Sequence, residues 1–97
     1  MPNREQIVQM LETIVDPEIG VDIWTMGLVY DIGIQEADTV RILMTFTSPF
    51  CPAGDKIKEE ITDAMRLLGF KDVRINITFD PPWQPSAALK AALGMST

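Results

Sequence analysis

Apolar residues recur at helical spacing in two stretches and in alternation in three, and the order of these stretches predicts the fold. Ile7, Met10, Leu11 and Ile14 form one stripe of a first helix. Asn3 stands where it can cap that helix, with Gln6 three residues on to complete a capping box. Val15-Asp16-Pro17 ends it, because the residue before a proline is pushed out of the α region. Leu28, Tyr30, Ile32 and Ile34 then alternate with Val29, Asp31, Gly33 and Gln35. Val40, Ile42, Met44 and Phe46 alternate likewise with Arg41, Leu43, Thr45 and Thr47. These are two half-buried strands, joined through Gln35-Glu36-Ala37-Asp38-Thr39 as an antiparallel hairpin. Helical spacing returns at Ile57, Ile61, Ala64, Met65 and Leu68, with Lys56, Lys58, Glu59, Glu60, Asp63 and Arg66 on the wet side. Gly69 predicts a left-handed cap and Phe70 the apolar contact that accompanies one. A third strand turns Val73, Ile75, Ile77 and Phe79 inward and Arg74, Asn76 and Thr78 outward. Ser86 caps a short last helix that runs to Leu93 and stops at Gly94.

The predicted architecture is a single α+β domain over residues 1–97. It is a two-layer sandwich of order α-β-β-α-β-α, with a small mixed sheet and helices mainly on one face. Strand, helix and strand at this spacing imply a right-handed parallel crossover between the second and third strands. The polar or mixed second faces of the strands leave one side of the sheet without helices, either solvated or set against a second copy. Gly27, at the entrance to the first strand, predicts a backbone conformation that other residues resist.

Charge and composition narrow the function. The 97 residues carry a net charge of −6, which disfavours nucleic acid and anionic membrane surfaces as partners. No apolar run approaches the length of a membrane span, and the first residues lack the apolar core of a signal peptide. One cysteine and no histidine exclude an internal disulfide, Cys–His and Ser–His–Asp catalysis, and every histidine metal site. A free thiol predicts a reducing, cytoplasmic setting.

That thiol, Cys51, lies in Thr47-Ser48-Pro49-Phe50-Cys51-Pro52, between the second strand and the second helix. Pro52 suits the first helical position, which puts Cys51 at the N-cap beside free N–H groups and the positive end of the helix dipole. Such a setting lowers a thiol pKa from about 8.5 to roughly 4–7.5, and the thiolate binds soft metals and iron–sulfur clusters. The competing reading, a small buried residue with an inert S–H, stays open on chemistry alone. The parallel crossover brings Asp80-Pro81-Pro82-Trp83 to the same sheet edge, with Tyr30 of the first strand close to it. Trp83 offers that edge an apolar wall and one N–H donor, and Asp80 a polar group; the plainer alternative is a rigid strand stop with Trp83 packed over the core. Asp16, Glu18 and Asp22 can be weighed as a hard-metal site, but their spacing is not that of a calcium loop and favours caps and solvated charges. One thiolate cannot close a cluster site that usually takes four, so any cluster must be shared with a second copy, exogenous thiols or a client.

Four ordered segments carry a family resemblance: Asp16-Pro17-Glu18, Gly27-Leu28-Val29-Tyr30, Thr47-Ser48-Pro49-Phe50-Cys51-Pro52 and Asp80-Pro81-Pro82-Trp83. Over residues 5–83 the chain resembles the small iron–sulfur assembly domains typified by SufT, the PaaD protein and the eukaryotic cytosolic iron–sulfur targeting factor. The resemblance implies a non-enzymatic maturation factor that carries clusters or helps insert them into client apoproteins. It maps the family cysteine onto Cys51, a threonine and serine that can donate to a thiolate onto Thr47 and Ser48, and the acidic element onto Asp16 and Glu18. It further implies a transient iron–sulfur cluster that one chain does not hold tightly, and a homodimer working with assembly machinery and client apoproteins. The cysteine-rich tail of some PaaD-like members is absent from this sequence. The alternative function is an adaptor of an assembly complex, in which Cys51 only packs. A thiol-dependent enzyme ranks last, for want of a general base or resolving thiol.

Overall fold

Asn3 opens the first helix as its sequence predicts, its side chain accepting from the Gln6 N–H while its own N–H donates to Gln6 Oε1, both at 2.9 Å. In the computed structural model, which describes residues 2–47, 52–92 and 94, this helix is α1 (Arg4–Leu11). It stops a turn short of the expected Val15. The N–H groups of Thr13 and Ile14 bond to the carbonyls of Met10 and Leu11, so the chain tightens and turns before the proline is reached. The turn still delivers Ile14 to the core, where it is 5% exposed.

The remaining elements are β1 (Val29–Gln35), β2 (Thr39–Met44), α2 (Gly54–Leu68), β3 (Asp72–Ile77) and α3 (Ala87–Ala92). They realise the α-β-β-α-β-α order in a three-stranded sheet with β2 at its centre, antiparallel to β1 and parallel to β3. Ala37 and Asp38 close the hairpin with φ of 59° and 53°, and the Asp38 carbonyl accepts the Lys71 and Asp72 N–H groups. The turn thereby anchors the start of β3. Residues directly opposite in an antiparallel pair share a face, so the pairs Val29/Met44, Ile32/Ile42 and Ile34/Val40 define the side that meets the helices. Val40, Ile42 and Met44 are fully buried there, against Ile7 and Leu11 of α1 and Ile57, Ile61 and Met65 of α2. Each such side chain contributes about 1.5–3 kcal/mol of apolar burial. Asp31, Arg41, Arg74 and Asn76, on the opposite face, are exposed.

Three strand expectations need correction. The alternation of β1 is broken by a register shift between Val29 and Asp31, which makes Tyr30 the extra residue of a bulge and turns Val29, not Tyr30, toward Met44. On β3 the inward alternation ends at Ile77. The Thr78 hydroxyl and the Asp80 backbone bond to each other at 3.2 Å, the chain leaves the sheet, and Phe79 is 43% exposed. Thr45 departs from the pattern the other way, fully buried where the polar face of β2 was expected, because β2 ends at Met44 and the Thr45 N–H turns to the Leu28 carbonyl.

Helix α2 ends as predicted: Gly69 adopts a left-handed conformation with φ of 113°, and Phe70 behind it is 2% exposed. Ser86 accepts from the Leu89 N–H at 3.1 Å to start α3, and Gly94 takes φ of 71°. Leu93, the expected last residue of that helix, lies outside the described residues. No helix among the described residues is long and apolar enough to cross a membrane.

Candidate functional site

Three chain segments meet at one edge of the sheet, and backbone hydrogen bonds explain why. The parallel register pairs Met44 with Ile77, so β2 and β3 end side by side and launch their loops from the same edge. The Thr78 N–H carries the pairing one step further, onto the Met44 carbonyl at 2.9 Å. The loop between α1 and β1 is stitched to the same place. The Ile23 N–H donates to the Ile14 carbonyl, the Leu28 N–H to the Ile23 carbonyl, and the Thr45 N–H to the Leu28 carbonyl, at 2.9, 3.1 and 2.8 Å. Gly27 turns this loop into β1 with φ of 75°.

The proline-rich segment lies across that edge as a strap with two side-chain fastenings. Tyr30 donates its hydroxyl to the Pro81 carbonyl at 2.8 Å. Trp83 donates its indole N–H to the Met26 carbonyl at 2.6 Å, and its ring is partly buried against the core. The bulge at Tyr30 contributes directly, since an unpaired residue on an edge strand is free to aim its side chain across the sheet end. The one donor of Trp83 is thus spent inside the protein, as in the strand-stop alternative. Asp80 is exposed at the start of the strap.

Two acids of the loop between α1 and β1, Asp16 and Asp22, cap backbone turns. Asp16 is 1% exposed, and its Oδ1 accepts from the Glu18 N–H at 2.8 Å. Its carbonyl accepts from Ile19 and Gly20, and its N–H donates to the Val21 carbonyl, which closes a tight turn at Gly20 with φ of 82°. Asp22 caps the next turn through the Thr25 N–H at 2.9 Å, and Glu18 is exposed. No group of three or more Asp, Glu or Cys side chains among the described residues is placed to hold a metal ion. Asp16 Oδ2 is buried and has no hydrogen-bond partner among the described residues, a costly state for a carboxylate oxygen. Sequence reasoning did not anticipate that burial. The signal for it was Gly20, four residues after Asp16 of an Asp-Pro pair.

Thr47 is half-buried at the end of β2, where the central loop begins. Ser48 and Cys51 lie outside the described residues. The helix that follows, however, does not begin where expected. Pro52 and Ala53 form a turn, Ala53 is the N-cap with no side-chain cap bond, and Gly54 is the first helical residue. The start is set by packing. Gly54 is buried under Phe46, and a Cβ at Gly54 would stand 3.0 and 3.1 Å from two atoms of that ring. Phe46 and Gly54 therefore pin the two feet of the loop that carries Thr47, Ser48 and Cys51, a contact that sequence reasoning missed because it joins positions eight residues apart through a ring. Cys51 precedes the helix cap by two residues and does not occupy it.

Comparison with known proteins places this arrangement. A family model described as iron–sulfur cluster assembly protein matches residues 4–79. The Fe-S protein maturation auxiliary factor YitW of Bacillus subtilis is 42% identical over 96 residues, with 95% of this chain and 94% of that protein covered. The Fe-S protein maturation auxiliary factor SufT of Staphylococcus aureus is 34% identical over 87 residues, covering 86% of this chain and 99% of that one. A conserved hypothetical protein of Thermotoga maritima has a similar structure, with a TM-score of 0.83 at 36% identity and coverage of 97% and 96% of the two chains.

Proposed function

The chain belongs to the family of iron–sulfur cluster assembly proteins, and from that premise we propose that it is a non-enzymatic maturation factor that carries clusters, or helps insert them into client apoproteins, through Cys51. The observation that supports this most is the convergence of loops at one sheet edge. β2, the strand that precedes the only thiol in the sequence, ends beside the start of the strap and the end of the loop between α1 and β1.

In this reading the Cys51 thiolate is one iron ligand. The first-turn N–H groups of α2, which Ala53 leaves without a side-chain cap, lie just beyond it in the chain and favour negative charge there. Thr47 and Ser48 donate to the sulfur. Tyr30, Asp80 and Trp83, with the strap, form the wall beside the cargo, and Asp16 and Glu18 the acidic border. One thiolate per chain leaves the other positions of a cluster to a second copy or to the client. Incoming client thiols lose their protons as they bind iron and displace the weaker ligands. A site so incomplete releases its cargo easily, as a carrier requires. The setting is the cytoplasm, where a free thiol stays reduced.

Anaerobic reconstitution with iron and sulfide tests the reading. The wild-type chain is expected to gain a visible chromophore that Cys51→Ser lacks, while both keep the same far-ultraviolet circular dichroism. In cells, Cys51→Ser is expected to lower the activity of iron–sulfur enzymes. An equal chromophore in the two proteins, or full client activity in the variant, would overturn it. A thiol inert to alkylation near neutral pH would favour the adaptor function instead.

A further inference from the structure

On the far flank of the helical layer, the C-terminal end of α1 and the outer side of α2 enclose a groove of about 280 Å³. Ile14 and Ala64, 5% and 7% exposed, form its floor together with Met10, and Glu60, Asp63 and Leu67 form its rim. Glu60, Asp63, Ala64 and Leu67 follow one another at spacings that put them on a single helix flank. Leu67 is 82% exposed, a large aliphatic side chain left in water at the edge of an apolar floor. The charged side chains that line it, Glu60 and Asp63, are of one sign, with Lys56 and Arg66 each a turn away on α2. No Lys or Arg lines the groove, α1 has no basic residue in its last turn, and Glu12 stands at its C-cap. The negative end of the α1 dipole therefore adds to Glu60 and Asp63.

We propose that this groove docks a basic amphipathic segment of a partner protein. An apolar side chain of the partner enters between α1 and α2 beside Leu67, and flanking Lys or Arg residues meet Glu60, Asp63 and the carbonyl end of α1. An open groove between two helices, with an apolar floor, suits one or two side chains of a helix laid into it. A second copy of this chain is a poor occupant, because a two-fold axis through the groove would set Glu60 and Asp63 against their own counterparts. Leu67 lies on the order of 20 Å along the α2 axis from Gly54, at about 1.5 Å per residue. A docked segment thus leaves the Cys51 end of the helix open. The proposal does not rest on cluster carriage: the partner is a client or assembly protein under that reading and a plain binding partner without it.

The test titrates the isotope-labelled full chain with a synthetic helical peptide that carries leucines on one face and lysines flanking them. The same peptide with glutamates for lysines is the control. Amide shifts are expected at Thr13, Ile14, Asp63, Ala64 and Leu67, with binding that weakens as salt is added. Leu67→Ser and the double variant Glu60→Gln, Asp63→Asn are each expected to weaken it about tenfold. Leu67 and the two acids are exposed, so these variants keep the fold, which their melting curves verify. Absence of binding, equal binding of the acidic peptide, unchanged affinity in both variants, or shifts confined to other surfaces would overturn the proposal. So would concentration-dependent self-association that produces the same shifts without peptide.

Discussion

The two ends of α2 are built on opposite principles. At the C-terminal end, local chemistry suffices: Gly69 takes a positive φ at no steric cost, its N–H and that of Phe70 satisfy carbonyls of the last turn, and Phe70 buries its ring behind them. At the N-terminal end, among the described residues, no side chain caps the helix. Ala53 has no side chain with which to cap, and the start is held by the ring of Phe46 lying on Gly54. The Gly69 cap closes through backbone bonds within the last turn, whereas the contact at the other end depends on Phe46 beyond β2 being in place. The end whose N-cap residue, Ala53, supplies no side-chain cap is the one that Cys51 precedes in the chain.

Four substitutions sharpen the contrast. Phe70→Ala removes a buried ring from the locally determined end and is expected to cost about 3–5 kcal/mol, read from the midpoint of a urea melt. Gly54→Val is expected to cost about 1–3 kcal/mol, because the branched Cβ meets the Phe46 ring. Combining it with Phe46→Ala should cost less than the sum of the two single changes; additive costs would show that the ring does not hold the helix start. Ala53→Ser supplies the missing cap and is expected to gain only about 0.5 kcal/mol, since Ala53 has αR backbone angles and not the extended ones that capping prefers. A gain as large as the roughly 1–2 kcal/mol of a strong cap would mean that packing plays no part in setting this end.

Much of the molecule was legible in one dimension because its determinants are local or periodic. The Asn3–Gln6 box, the α2 stripe, the Gly69 cap, the Ser86 cap and the parallel launch of two loops from one edge all follow from spacing and from residues whose backbone preferences are strong. The reading failed where a contact between distant segments outvoted a local rule. Pro52 suits a helix start, yet the Phe46 ring sets the start at Gly54. Alternation suits an inward Tyr30, yet a bulge aims it at Pro81, across a separation that no periodicity encodes. Asp16 read as a cap or a solvated charge; it does cap, through the Glu18 N–H, but it is buried, with one oxygen unpartnered among the described residues. Sequence by itself determined which elements form, in what order, and where the lone thiol sits among them. Tertiary structure alone decided how the segments at the end of β2 are fastened, because the fastenings are hydrogen bonds and ring contacts between residues that only the folded chain brings together.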